Sequence, residues 1–290
     1  MEFYLAFFIA FIVAREFLIR AKFIFPWAKR KRIVVPNSVL VEKIKYDSAG
    51  LKITGVLCRP KKKGNHPVIV FCHGYYGPTE WARHNYAWEN KADELAWWAS
   101  RGFVAVASNY RGTDGSDGNV EGGEGELEDV LNALRHLKGK PYADSKNVFL
   151  VGKSMGGAIA LHAATKIPAV RAVCAYYAPY DFHFLGQRFH IVHAIFSLFT
   201  IGPLGLSSGG LDRISPKTFA SKIRCPVLLL HGKGDEIVSW ESAGKIAGEI
   251  GKKAKVMLFE NEGHGFSAQA AQMARMEALA LFRKVLKKPQ

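Results

Sequence analysis

A serine hydroxyl becomes a useful nucleophile at neutral pH only beside a base, and that base needs an acid to orient it. Three segments supply these residue types in order along the chain: Gly152-Lys153-Ser154-Met155-Gly156, the run Val227 to Asp235, and Glu260 to Phe266. Their pattern predicts that Ser154 attacks an acyl carbon while His264 takes its proton. Asp235 would hold the imidazole and stabilise its cationic form. That chemistry breaks a carboxylic ester or related acyl bond through an acyl-enzyme, and it calls for no metal or organic cofactor.

The segment around Ser154 has the form G-x-S-x-G, which works when a strand, a sharp turn and a helix expose the serine oxygen on a strained corner. The motif alone is weak, and Gly205-Leu206-Ser207-Ser208-Gly209 is a second match. Context separates the two. Asn147 to Val151 reads as a strand into Ser154 and Gly157 to Leu161 as a helix out of it. Ile201-Gly202-Pro203-Leu204 and Gly210 suit a loop around Ser207. Asp235 stands at the end of a strand and His264 between two glycines after the last strand, so both can face Ser154. Glu236 and Asp181 are rival acids, and Asp235 could instead cap a following helix. The oxyanion needs backbone donors. Met155 N–H directly follows the nucleophile, and the loop His73-Gly74-Tyr75-Tyr76-Gly77 offers Tyr75 N–H, with Tyr76 second; His73 itself reads as structural.

Short apolar runs alternating with helical periodicity must position these groups. Strands are expected at Val41–Tyr46, Leu51–Arg59, His66–His73, Phe103–Ser108, Asn147–Val151, Val170–Tyr177, Pro226–His231 and Ala254–Glu260. Helices are expected at Ala92–Ser100, Glu126–Leu137, Ser154–Lys166, Ser239–Ile250 and Ala268–Leu286. The first two strands, joined at Asp47-Ser48-Ala49-Gly50, form an antiparallel edge. The rest make a mostly parallel sheet with helices on both faces, an α/β fold. The alternation fails between Asp181 and Ser215, a stretch rich in Phe, Leu, His and Gly. Beyond a strand end, residues 181–215 would form a lid-like insertion over the site.

The chain of 290 residues is 49% hydrophobic and carries a formal charge of +15. The basic clusters Lys29 to Arg32, Lys61 to Lys63, Lys252-Lys253 and Lys287-Lys288 are scattered. No zinc-finger spacing or RNA-binding signature accompanies them, which argues against a specific nucleic-acid partner. The four cysteines lie in or beside apolar runs without metal spacing and read as buried thiols. His183, His190 and His193 lack a clear carboxylate or cysteine partner and read as lid or packing residues. Phe3 to Ala14 is apolar but short of the roughly 20 residues that span a bilayer. On a helix, Arg15, Glu16, Arg20 and Lys22 share one side and Phe17, Leu18, Ala21, Ile24 and Phe25 the other. No signal-peptide features surround the run. An interfacial helix fits best, with a spanning anchor or a helix packed on the protein's own body as alternatives. Residues 1–35 are therefore expected to associate with a membrane, leaving the hydrolase domain, residues 36–290, on the cytoplasmic side; a soluble cytoplasmic protein is the alternative.

Over about residues 38 to 288 the sequence resembles the α/β-hydrolases, in the branch of prolyl oligopeptidase catalytic domains, dienelactone hydrolases and related esterases. The resemblance rests on His73-Gly74, Asn109 to Ser116, Gly152 to Gly157, His231-Gly232-Lys233-Gly234-Asp235 and Gly263 to Phe266. It implies a serine esterase or lipase-like hydrolase. The sequence departs from the branch in three ways. It holds no residues for the propeller of the large oligopeptidases, it has serine where dienelactone hydrolases use cysteine, and it carries Tyr75-Tyr76 after His-Gly. The missing propeller argues against a peptidase, and the apolar insertion together with the membrane-directed N-terminus points to lipophilic esters as substrates. A serine peptidase or amidase, and a non-catalytic membrane-bound binding protein, stand as alternatives.

Overall fold

The computed structural model describes residues 35–74, 88–184 and 208–287. Most of segment 1–35, the loop residues Tyr75 and Tyr76, Ser207 and the greater part of the 181–215 insertion, with His190 and His193, lie outside the described residues.

The chain begins with a hairpin of β1 (Val39–Ser48) and β2 (Leu51–Pro60). Its two-residue turn places Ala49 at φ 49° and Gly50 at φ 82°. Two positive φ values make a type I′ turn, whose twist matches that of the strands it joins. There follow β3 (His66–Cys72), α1 (Trp88–Ala99), β4 (Val104–Ser108), α2 (Glu124–Leu137) and β5 (Ala143–Lys153). The second half contains α3 (Met155–Lys166), β6 (Val170–Tyr176), a short α4 (Ser208–Ile214), β7 (Val227–Gly232), α5 (Glu241–Ile250), β8 (Ala254–Phe259) and α6 (Ala268–Leu286).

The eight strands form one sheet in the order β1-β2-β4-β3-β5-β6-β7-β8. β2 runs antiparallel to both β1 and β4, and every other pair is parallel. Alternation along the strands divides the apolar side chains between two cores. Val68 and Val70 of β3 point to one face, with Val130 and Leu137 of α2, Ile159 of α3 and Ile246 of α5. Ile69 and Phe71 point to the other, with Leu95 and Trp98 of α1 and Phe282 of α6. Phe282 packs at 5.5 Å from Trp98 and 4.6 Å from Phe149, ring centre to ring centre, which fixes the two helices of that face over β5. The sheet is buried on both faces, which is why its central strands are continuous apolar runs.

The strands and the long helices lie where the sequence periodicity places them, with shifted ends: β1 runs two residues further at each end, α2 starts two residues earlier and α5 two residues later than expected. Gly210, expected in a loop, lies in the helix α4, which periodicity did not mark because its Ser-Gly-Gly start carries no apolar pattern. β5 begins at Ala143 rather than Asn147, because Ala143 and Asp144 pair with His66 and Pro67 before a shift of register. α1 begins at Trp88 rather than Ala92. No helix among the described residues is long and apolar enough to cross a membrane.

Candidate active site

β5 ends at Lys153 and α3 begins at Met155, so Ser154 occupies the whole turn between them, at φ 52° and ψ −128°. A residue with a side chain in this region carries strain of order 1–3 kcal/mol, tolerated only where the surroundings impose it. Here they do. Ser154 N–H donates to the Tyr176 carbonyl at 3.0 Å, and the Ser154 carbonyl accepts from Gly157 N–H at 2.8 Å. The flanking glycines are required by space. A Cβ on Gly156 would lie 2.1 Å from the Cys72 carbonyl oxygen, and one on Gly152 would lie 2.2 Å from that of Gly156. The loop after β3 passes beside the nucleophile, since a Cβ on Gly74 would stand 3.3 Å from Ser154 Cβ.

The loops after β7 and β8 bring the other two groups to this corner. They are zipped together by backbone hydrogen bonds, Lys233 N–H to the Phe259 carbonyl and Gly234 N–H to that of Glu262, each 2.9 Å. The Glu262 carboxylate in turn accepts from Ser267 N–H and Oγ, at the start of α6. The outcome is a continuous row: Ser154 Oγ to His264 Nε2 is 2.9 Å, and His264 Nδ1 to Asp235 Oδ2 is 2.9 Å. Asp235 is buried, and its Oδ1 accepts from Ile237 N–H at 2.9 Å and Val238 N–H at 2.8 Å. Burial alone would favour the neutral acid. Hydrogen bonds from His231 and His264, the charge of His264 and the Val238 amide outweigh it and hold the carboxyl well below the usual carboxylate range. The His264 side chain remains partly exposed, with the Tyr177 ring edge-on at 5.0 Å and Phe266 behind Tyr177 at 5.1 Å. The imidazole can thus meet a substrate while its far nitrogen is held in place.

The rivals are accounted for elsewhere. Glu236 is exposed. Asp181 accepts from His183 N–H and from Lys217 Nζ at 2.7 Å. His183 itself bonds Asp212 at 2.9 Å. His73 is buried against the Tyr110 ring at 4.0 Å, with Nδ1 2.8 Å from the Gly74 carbonyl, in keeping with a structural role. Met155 opens α3, so its N–H belongs to the first helical turn, where amides have no intrahelical acceptor. Tyr75, expected to supply the second oxyanion donor, lies outside the described residues.

Sequence reasoning passed over two groups. Lys153, the variable residue of the motif, sends Nζ down to Glu94 of α1 at 2.6 Å, and Arg275 of α6 meets the same carboxylate at 2.8 Å. His231 bonds Asp235 at 3.1 Å. A basic residue directly before the serine and a histidine four residues before the aspartate were the available signals.

A mostly parallel sheet with a strained serine at a strand-to-helix corner, answered by an Asp and a His from two later strand ends, defines a serine hydrolase of the α/β-hydrolase fold. The chain belongs to the Prolyl oligopeptidase family, whose model matches residues 88–288. It is similar to "Uncharacterized peptidase YtmA" of Bacillus subtilis (strain 168), at 24% identity over 231 residues, covering 73% of this chain and 80% of that one. Among solved structures it is similar to a Mycobacterium tuberculosis puromycin-hydrolyzing peptidase, with a TM-score of 0.71 at 23% identity, covering 86% of this chain but 40% of the peptidase. It is also similar to acetyl xylan esterase 1 of Thermoanaerobacterium sp. JW/SL YS485, with a TM-score of 0.61 at 19% identity, covering 86% and 89% of the two chains. At these identities the structural likenesses speak for the fold.

Proposed function

We propose that the protein hydrolyses acyl bonds of small peptides or acylated amines through an acyl-enzyme on Ser154. The observation that carries this reading is the row Ser154–His264–Asp235, with both contacts at 2.9 Å. His264 Nε2 takes the proton from Ser154 Oγ as the oxygen bonds the substrate carbonyl carbon. The imidazolium is held by Asp235 and returns the proton to the leaving nitrogen. Water then releases the acyl group by the same route in reverse. Met155 N–H, with a donor from the loop around Tyr75, would stabilise the oxyanion. The family match and the peptidase relatives support the amide side of this chemistry.

Carboxylic esters are the second reading. The likeness to an acetyl xylan esterase and the aromatic wall of Tyr177 and Phe266 beside His264 favour it. Attachment to a membrane surface through residues 1–35 belongs to this reading, since it would bring the site to lipophilic esters, and vesicle co-sedimentation tests it.

The deciding experiment compares matched aminoacyl p-nitroanilides and p-nitrophenyl esters, wild type against Ser154→Ala, with a fluorophosphonate probe for the nucleophile. We expect labelling to vanish in the variant and kcat to fall by about 10⁴- to 10⁶-fold. Anilide turnover lost with Ser154 supports the peptidase reading; turnover of esters alone would put the second reading first. Labelling that survives Ser154→Ala would remove both.

A further inference from the structure

Asp235 is gripped from two sides. Its Oδ2 lies 2.9 Å from His264 Nδ1 and 3.1 Å from Nε2 of His231, which ends the apolar run of β7 and is fully buried. The second contact of His231 Nε2 is the Val238 carbonyl at 3.2 Å. A carboxylate and a carbonyl can only accept, so Nε2 carries the proton. Nδ1 has no hydrogen-bond partner among the described residues. A buried polar nitrogen without a partner is costly, and an apolar residue would fill a strand end in a packed core without that cost. The donor at Nε2 is what such a residue could not supply.

We propose that His231 is a positioning residue of the catalytic row: its Nε2–H shares Asp235 Oδ2 with His264 Nδ1–H, clamps the carboxylate toward His264 and draws off part of its negative charge. The proposal rests on the acyl-enzyme reading above. With two backbone amides on Oδ1 and two imidazoles on Oδ2, the carboxylate is held at every edge. Its rotation away from His264 would break bonds on both sides. No proton is transferred to His231 in the cycle; the proton from Ser154 Oγ stays on His264 Nε2 until the leaving group takes it. Among the described residues, Tyr180, from the loop after β6, also faces His231, with ring centres 6.2 Å apart. Burial keeps its phenol neutral, so Asp235 and, through it, His264 are the charged neighbours that count.

The test compares His231→Leu, which removes the donor, with His231→Gln, whose amide can donate from nearly the same place. In the Leu variant kcat should fall about 10- to 100-fold, the worth of one hydrogen bond to a charged group, with KM little changed. The acid limb of kcat/KM should move upward by up to about one unit, because an Asp235 with one donor fewer stabilises the His264 imidazolium more strongly. The Gln variant should return both toward wild type. A folded Leu variant with wild-type kcat and pH profile, or equal losses in Leu and Gln, would overturn the proposal. If the Leu variant does not fold, ¹⁵N-histidine NMR of the wild-type protein decides. A proton on His231 Nε2, together with a wild-type profile for Gln, supports the assignment; a proton on Nδ1 defeats it. Failure of the acyl-enzyme reading shows separately, as turnover that survives Ser154→Ala.

Discussion

Ser154 and Asp235 bear opposite relations to stability. Ser154 holds a backbone conformation that glycine adopts without strain, at φ 52°. Ser154→Gly should therefore raise the stability of the protein by about 1–2 kcal/mol over Ser154→Ala while leaving it inactive, as denaturant midpoints of the two variants will show. Equal midpoints would mean that the corner is not strained. Asp235 instead is anchored by two amides and two imidazoles. Asp235→Asn keeps the shape but puts an amide where an anion stood, and the His264 tautomer is no longer imposed. The expected loss in kcat is about 10⁴-fold with the fold intact by circular dichroism. These side chains could be named from the sequence because nucleophile, acid and base types are few and their order was informative. The choice of Asp235 over Asp181 was not settled there; it depends on which loop faces His264, and Asp181 turns out to bind Lys217.

Among the elements, the strand ends and helix starts carry the site, and their glycines divide into two kinds. Gly156 sits against the end of β3, where a Cβ would overlap the Cys72 carbonyl at 2.1 Å. Gly156→Ala must push α3 off the sheet and move Ser154 with it, so activity and melting temperature should fall together. Gly244 lies in α5 with nothing within 4 Å of its would-be Cβ and no positive φ. Gly244→Ala should stabilise by about 0.5–1 kcal/mol without touching turnover, because alanine loses less conformational freedom in a helix. A thermal melt of both variants checks the contrast. Periodicity located the strands of the sheet and the long helices packed on it because both faces of the sheet are apolar, and missed only the short α4 among the described α-helices. It could not locate the early start of β5, since Ala143 and Asp144 are strand only through their pairing with His66 and Pro67.

At the level of the whole molecule, Glu94 ties three elements into one block under the nucleophile. Its carboxylate takes Lys153 from β5, Arg275 from α6 and the Trp98 indole N–H from its own helix. Burial opposes its ionisation, but the charges and hydrogen bonds of Lys153 and Arg275 prevail and bring its pKa down to about 2. An unfolded glutamate titrates near 4.3 (roughly), so the network stabilises the fold in full above that pH and loses its effect as the pH falls toward about 2. Glu94→Gln leaves two partly buried cations, Lys153 and Arg275, without their carboxylate. It should cost about 2–3 kcal/mol at pH 7, less than a fully buried pair because both cations reach solvent. The gap between variant and wild type should narrow between about pH 4 and 2, as Glu94 itself becomes protonated. Urea titrations at pH 7 and pH 3 measure it; a constant gap would place the effect in packing rather than charge.

Local order in the chain was enough to specify the strand and helix alternation, the hairpin, the corner at Ser154 and the pairing of an acid with a base from later strand ends. The strands, helices, hairpin and corner depend on neighbours a few residues apart, whose propensities and periodicity act directly on the backbone, while the acid and the base were marked by their residue types and their order after strand ends. The parallel register, the two-sided grip on Asp235, the contact of Lys153 with Glu94 and Arg275, and the quiet placement of Asp181 and His73 were decided only by tertiary structure. Some of those contacts, such as Lys153 with Glu94 and Asp235 with His264, join residues distant in sequence. Even the local ones, such as His231 with Asp235, depend for their energies on burial and direction, which exist only once the sheet has brought the strand ends together.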